Sequence, residues 1–418
     1  MATNPCAPPS WGGCADAERM ENTVILATVA LTAALMAWPR LSRSTGWRAM
    51  ITPLASIIGS GFLVLGPILN DSFGMFAPLM LLVLCGVAYL FGHAIRFNIA
   101  TIESTTKRPL AALRLETLSS WVLSFAYVIS VAYYLNLLGA FGMRLTPWNT
   151  PLNARLLTTA VFLFILFTGW TRGFSALERL EQFSVGLKLA IIAGLLVGMG
   201  FYFADRTAEG ALLMNPPTVT GWSALTLAFG LLITVQGFET SRYLGETYDA
   251  PTRIRSMKQA QWLSTLIYII YIVLLAYVFA PGTMELTETA IIDMMQIVAP
   301  ILPVLLIIAA LAAQFSAAIA DTSGAGGLIE ELTRHRLKPR DAYAVLVAVG
   351  LLLTWAVDVF QIIAYASRAF ALYYAVQATI AAVTAAKTPR LHRAKWFYGA
   401  LALLGFAIAI FGRAVEGG

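Results

Sequence analysis

Four ionisable residues sit where an apolar, membrane-length segment would ordinarily exclude them. Lys188 and Arg368 lie inside hydrophobic runs, and Glu239 and Asp321 lie within or at the edges of others. A charge at the bilayer centre costs roughly 3 kcal/mol or more, so such a residue is kept where it faces a cavity, a partner or a transport path. Lys188 is the stronger pathway candidate. Arg368, with Tyr365 and Ser367 as neighbours, reads equally as half of an ion pair between helices. Glu239 follows Gly237-Phe238 in the inner third of its run. Asp321 belongs to a polar patch from Ser316 to Gly324, whereas Asp358 falls between two runs and reads as an interfacial turn residue.

A second kind of chemistry is carried by backbone. Gly59-Ser60-Gly61 lies in the middle of the apolar stretch 51–69, where the poorest helix formers have no reason to be unless the helix opens. An opened helix frees N-H and C=O groups, tolerated at that depth only where they line a protein-enclosed cavity. The new N-terminus then suits a carboxylate, and the freed carbonyls suit a cation or an ammonium. Taken alone, Gly-x-Gly reads as readily as a close-packing device between helices. A second interruption changes that balance. Thr234-Val235-Gln236-Gly237-Phe238 lies inside the run 222–243, five spans later. Five is odd, so a five-span unit and its copy insert with opposite orientation, and paired glycine interruptions in such halves point to a midplane binding site.

The elements that must position these residues follow from composition. Of 418 residues, 59% are hydrophobic and only 12% charged, and the mean hydropathy is +0.75. That is the signature of a polytopic helical membrane protein. Twelve runs are expected to span, at 23–39, 51–69, 74–95, 119–142, 154–169, 180–203, 222–243, 260–280, 299–324, 342–358, 360–386 and 396–412. The first is among the shortest and reads as a peripheral extra helix, preceded by an external tail over 1–22. Lys and Arg gather in alternate loops, from Arg40, Arg43 and Arg48 through to Lys387, Arg390, Arg393 and Lys395, while the stretch 281–296 is purely acidic. The positive-inside rule then leaves both termini outside, in an inner (plasma) membrane. Inner-leaflet anchoring accounts for the net charge of +6, with no need for a nucleic-acid partner. No nucleotide-binding or zinc-spaced motif is present, so neither a cofactor nor a metal is expected.

Three segments together carry a family resemblance. Ile57-Ile58-Gly59-Ser60-Gly61-Phe62 with Gly66-Pro67 resembles the first-helix signature of the amino acid-polyamine-organocation (APC) superfamily. Gly237-Phe238-Glu239, then Gly245-Glu246 and Pro251-x-Arg253, resembles its sixth helix and the following loop. Lys188-Leu189 before Ala190-Ile191-Ile192 is similar to the fifth-helix lysine stretch of its amino acid transporters. The resemblance implies an all-α, LeuT-type fold: repeats of five helices over 51–203 and 222–386, an extra helix over 23–41 and a final one over 394–413.

It also implies roles. Ile58, Gly59, Ser60 and Gly61 would offer N-H groups to a small-molecule carboxylate, and carbonyls around Thr234, Gln236, Gly237 and Phe238 would receive its ammonium. Lys188 would stand where sodium-coupled relatives hold a cation, favouring proton coupling or exchange. Glu239, Asp321 and Arg368 complete the expected coupling set, although Ser316 and Thr322 leave a rebuilt sodium site open. A net-anionic cargo would use Arg368; a cationic one needs Glu239 or Asp321 on the cavity.

The remaining candidates are weaker. Tyr133 is expected to line the pocket, from a group with Tyr127 and Tyr134, and Phe229 and Phe238 are gate candidates. His93, His335 and His392 lie near the inner surface and read as solvated. Cys6 and Cys14 are positioned for an external disulfide, and Cys85 reads as a small core hydrophobe. A transporter of amino acids or related amines is the leading reading. A same-fold carrier of an inorganic ion or carboxylate is the second, and a membrane-embedded sensor or enzyme the third. No span carries paired histidines or a Ser-His constellation that would favour an enzyme.

Overall fold

The computed structural model describes residues 11–59, 61–104, 110–171, 179–245, 247–282, 285–388 and 391–415. Ser60 and Glu246 lie outside them, as does Cys6, and the side chain of Cys14 is likewise not described. Ten helical stretches among the described residues are long and apolar enough to cross a membrane.

The chain begins with α1 (Trp11–Ala37), which starts well inside the stretch expected to be a tail, and a short α2 (Pro39–Ser42). Two half-helices follow, α3 (Thr45–Ile57) and α4 (Gly61–Phe73). Then come α5 (Ala77–Ser104), α6 (Leu110–Met143), α7 (Pro151–Thr171) and α8 (Arg179–Ala208). The second half opens with α9 (Gly221–Gly230), which gives way to 3-10 turns over Leu232–Val235 and Phe238–Tyr243. It continues through α10 (Ala250–Ala276), a short α11 (Ala290–Val298), α12 (Leu302–Leu332), α13 (Pro339–Ala356) and α14 (Val359–Lys387). A last helix, α15 (Ala394–Phe411), follows.

Burial explains the layout. Helix α6 is apolar on all sides and buried over most of its length, as a central helix must be; it packs along α12 and α14. By contrast α1 packs chiefly along α8, with Leu31 and Leu35 turned outward. Its contact is made by glycines: a methyl on Gly194 would come 2.6 Å from the Val29 side chain. Small residues let the two backbones close up in this way. Asp358 caps α14, its carboxylate accepting from Gln361 N at 2.9 Å. That fits a turn residue and nothing more.

The first interruption falls where the sequence indicates, between Ile57 and Gly61. The second opens earlier. Helix α9 stops at Gly230, ahead of the Thr234 to Phe238 candidate, because the chain after α15 folds back onto it. Arg413 N donates to Thr226 O at 2.9 Å, and a Cβ on Gly230 would lie 1.8 Å from Arg413 O.

Candidate functional site

The two interruptions face each other, and glycines set the distance between them. A Cβ on Gly61 would meet Thr234 Cα at 2.7 Å, and one on Gly237 would meet the Ser56 carbonyl carbon at 2.5 Å. Gly237 also has φ of +121°, a conformation that side-chain-bearing residues rarely adopt. The broken segments therefore touch at two points, through backbone.

Opened helix ends expose polar groups that need partners away from water. Neighbouring helices supply several of them. At the end of α3, Lys188 Nζ from α8 donates to Ala55 O at 2.6 Å. A cation there also meets the negative pole of the half-helix. The Tyr268 hydroxyl of α10 lies 2.9 Å from Ile57 O and 2.7 Å from Thr234 O, so its single proton is shared between freed carbonyls of both breaks. On the far side, Ser367 of α14 donates to Gly230 O at 2.6 Å and accepts from Ile233 N at 2.8 Å. Tyr268 and Ser367 were not singled out in the sequence. The available signal was a hydroxyl-bearing side chain within an apolar span, and that signal is common.

Two cavities flank the breaks. The larger, of about 160 Å³, is walled by Thr52, Ala55 and Ser56 of α3, Tyr127 of α6, Lys188, Thr240 and Tyr243 of the second broken segment, and the α12 face from Ala313 to Gly324. Both Lys188 and Asp321 line it. Each is buried, and the Asp321 carboxylate accepts from the Ser130 hydroxyl of α6. The smaller, of about 20 Å³, lies at the start of α4 among Ile58, Gly59, Phe62, Lys188 and Ile192. A space that small fits a water-sized occupant. Lys188 thus stands on the wall common to both.

The other expected site residues distribute unevenly. Glu239 is buried behind the second break, where its carboxylate accepts from the Tyr374 hydroxyl at 2.7 Å and from Gly237 N at 3.1 Å. Gln236 turns the same way, its amide oxygen 2.7 Å from that hydroxyl, and Phe238 stacks on the Tyr374 ring at 5.1 Å. None of these three lines either cavity. Tyr133 is buried against Tyr134, and Tyr127 takes the cavity wall in its place. Arg368 lies apart from the other expected coupling residues. It is exposed on α14, its Nε donates to Ala409 O of α15 at 2.7 Å, and it lines neither cavity. That contact satisfies a carbonyl in the last turn of α15. Cys85 is buried, as a small hydrophobe would be. His93 is exposed, with one face of its ring stacked on Tyr398 at 5.8 Å.

A helical membrane bundle whose two broken helices meet beside a cavity is an arrangement in which transporters place their binding sites. The chain belongs to the APC superfamily of transporters, whose family model matches residues 39–412. A protein of Aquifex aeolicus (strain VF5), described only as uncharacterized, is 42% identical over 386 residues, which cover 90% of this chain and 93% of that protein. Among solved structures, the substrate-bound outward-open state of a Na+-coupled sialic acid symporter is similar in fold. Its TM-score is 0.52 at 16% identity, covering 94% of this chain and 96% of the other.

Proposed function

We propose that this transporter carries amino acids or related amines across the plasma membrane, with proton coupling or exchange and both termini outside. The observation that carries the reading is Lys188. Its ammonium meets the end of α3 and lines both cavities beside the breaks, so a fixed positive charge fills the wall that a coupling cation would need. The cargo class is supported by the company it keeps. Asp321 lines the larger cavity, while Arg368, the residue a net-anionic cargo would use, bonds α15. The start of α4 and the carbonyls around Thr234 would hold the carboxylate and the ammonium. Glu239 and its Tyr374 partner would then respond to movement of the second broken segment.

Uptake into liposomes by the purified protein tests this. Accumulation of an amino acid is expected to follow an imposed pH gradient or a counter-loaded amino acid, with no requirement for sodium. Strict sodium dependence would overturn it. It would favour a second reading, a sodium-coupled carrier of a carboxylate, which the fold likeness to a Na+-coupled sialic acid symporter keeps in play.

A further inference from the structure

A further cavity lies away from the breaks. It is an open groove of about 710 Å³ between the start of α3 and the face of α10, with Trp47 and Met50 on one wall and Trp262 and Leu266 on the other. Trp262 and Leu266 are 60% and 58% exposed, so the groove opens to the surroundings of the bundle. We propose that it binds one anionic phospholipid, with the acyl chains between the two tryptophans and the phosphate on Lys258.

Charge selects this occupant. Lys258 lines the groove, and Arg255, exposed and three residues earlier, shares that face of α10. Across the groove Arg43 is exposed between Leu41 and Ser44, both lining residues. None of the lining residues is acidic. Tryptophans beside basic residues mark the headgroup level of a membrane, and basic pockets between spanning helices take anionic headgroups. The location gives the lipid a consequence. Helix α10 also carries Tyr268, whose hydroxyl bonds Ile57 O at the far end of α3. A lipid seated in the groove would fasten the start of α3 to the same helix that holds its end, opposing any swing of α3 away from α10. The inference is independent of the cargo.

Native mass spectrometry of the full-length protein tests it, with phosphatidylglycerol and phosphatidylcholine of identical acyl chains supplied in equal amounts. One phosphatidylglycerol is expected to be retained in preference. Lys258→Gln is expected to lower that retention about fivefold, while Arg393→Gln, exposed at the start of α15, leaves it unchanged. Gly46 provides an orthogonal variant. It lines the groove with nothing within 4 Å of an added Cβ, so Gly46→Phe is expected to fill the space and expel the lipid from a protein that still elutes as folded. Equal retention of the two lipids, an unchanged Lys258→Gln, an Arg393→Gln loss as large as that of Lys258→Gln, or a second protein copy in place of the lipid adduct would each overturn the proposal. So would undiminished binding in folded Gly46→Phe.

Discussion

Gly61 lies so close to Thr234 that a methyl group on it would sit 2.7 Å from the threonine Cα. That contact joins the two broken segments through backbone, which cannot step aside as a flexible side chain does. Gly61→Ala is therefore expected to push the segments apart and abolish uptake while membrane insertion stays intact. Gly59→Ala is the control: its nearest obstruction is Ser56 O at 3.1 Å, a few tenths of an ångström too close. It should retain much of the activity, and Gly59→Leu should not. Normal uptake by Gly61→Ala would sink the idea that the breaks work in contact.

Tyr268 and Tyr271 are both buried on α10, three residues apart, and differ in what their hydroxyls do. Tyr268 donates to Ile57 O and Thr234 O, whereas the Tyr271 hydroxyl has no hydrogen-bond partner among the described residues. Both rings pack on Phe62, at 5.3 and 4.4 Å. Tyr268→Phe keeps the ring and removes the one proton the two buried carbonyls share, at a cost of about 1–3 kcal/mol. Tyr271→Phe removes a buried hydroxyl that bonds nothing and should be neutral or slightly stabilising. Thermal unfolding in detergent checks both, and equal shifts would show that the shared hydroxyl holds neither break.

The sequence reveals the first break because glycines inside an apolar run contradict helix propensity there. It does not reveal where the second begins. Leu231-Leu232-Ile233 reads as continuing helix, and what ends α9 is distant in the chain: Arg413 lies on Gly230 and Ser367 takes up the freed groups. Arg368 shows the same limit. A charge in a span is plain from composition, but its direction is set by the packing of α15. Buried Ser367 and exposed Arg368 are adjacent in the chain. Tyr133 and Tyr127 differ likewise, since helix α6 is apolar all round and its own periodicity marks no cavity face. Asp321 was legible as a buried acid, and its Ser130 partner on α6 was not.

Lys188 and Asp321 are expected to separate coupling from binding. Lys188→Met keeps an unbranched side chain one atom shorter but withdraws the proton donor from Ala55 O. Uptake driven by a pH gradient should collapse, while any exchange that needs no net proton movement should persist in part. Asp321→Asn keeps an acceptor for Ser130 and removes the charge from the cavity. It should weaken binding of cationic amino acids more than of neutral ones, read as a change in apparent affinity. A Lys188→Met protein that still concentrates substrate on a pH gradient would assign the proton to another group.

Arg242 ties the second broken segment to its neighbours at the basic end of the bundle. Its guanidinium pairs with Glu116 of α6 and donates to the Gln377 amide oxygen of α14 at 2.5 Å. Gln377 in turn donates to Ser119 Oγ at 2.7 Å and accepts from Asn98 of α5 at 2.8 Å, so the tail of the second broken segment is tied to three helices at once. Arg242 is nearly buried, and removing one partner of a buried pair leaves an uncompensated charge at a cost of about 3–5 kcal/mol. Arg242→Gln and Glu116→Gln should each destabilise the protein markedly. The double variant should lose less than the two losses added, the difference measuring their coupling. If the pair is a closing contact, each single variant should also make a cysteine placed at Thr240, on the wall of the larger cavity, react faster with a membrane-impermeant thiol reagent from the inner side. Strict additivity with unchanged labelling would reduce the pair to a local brace.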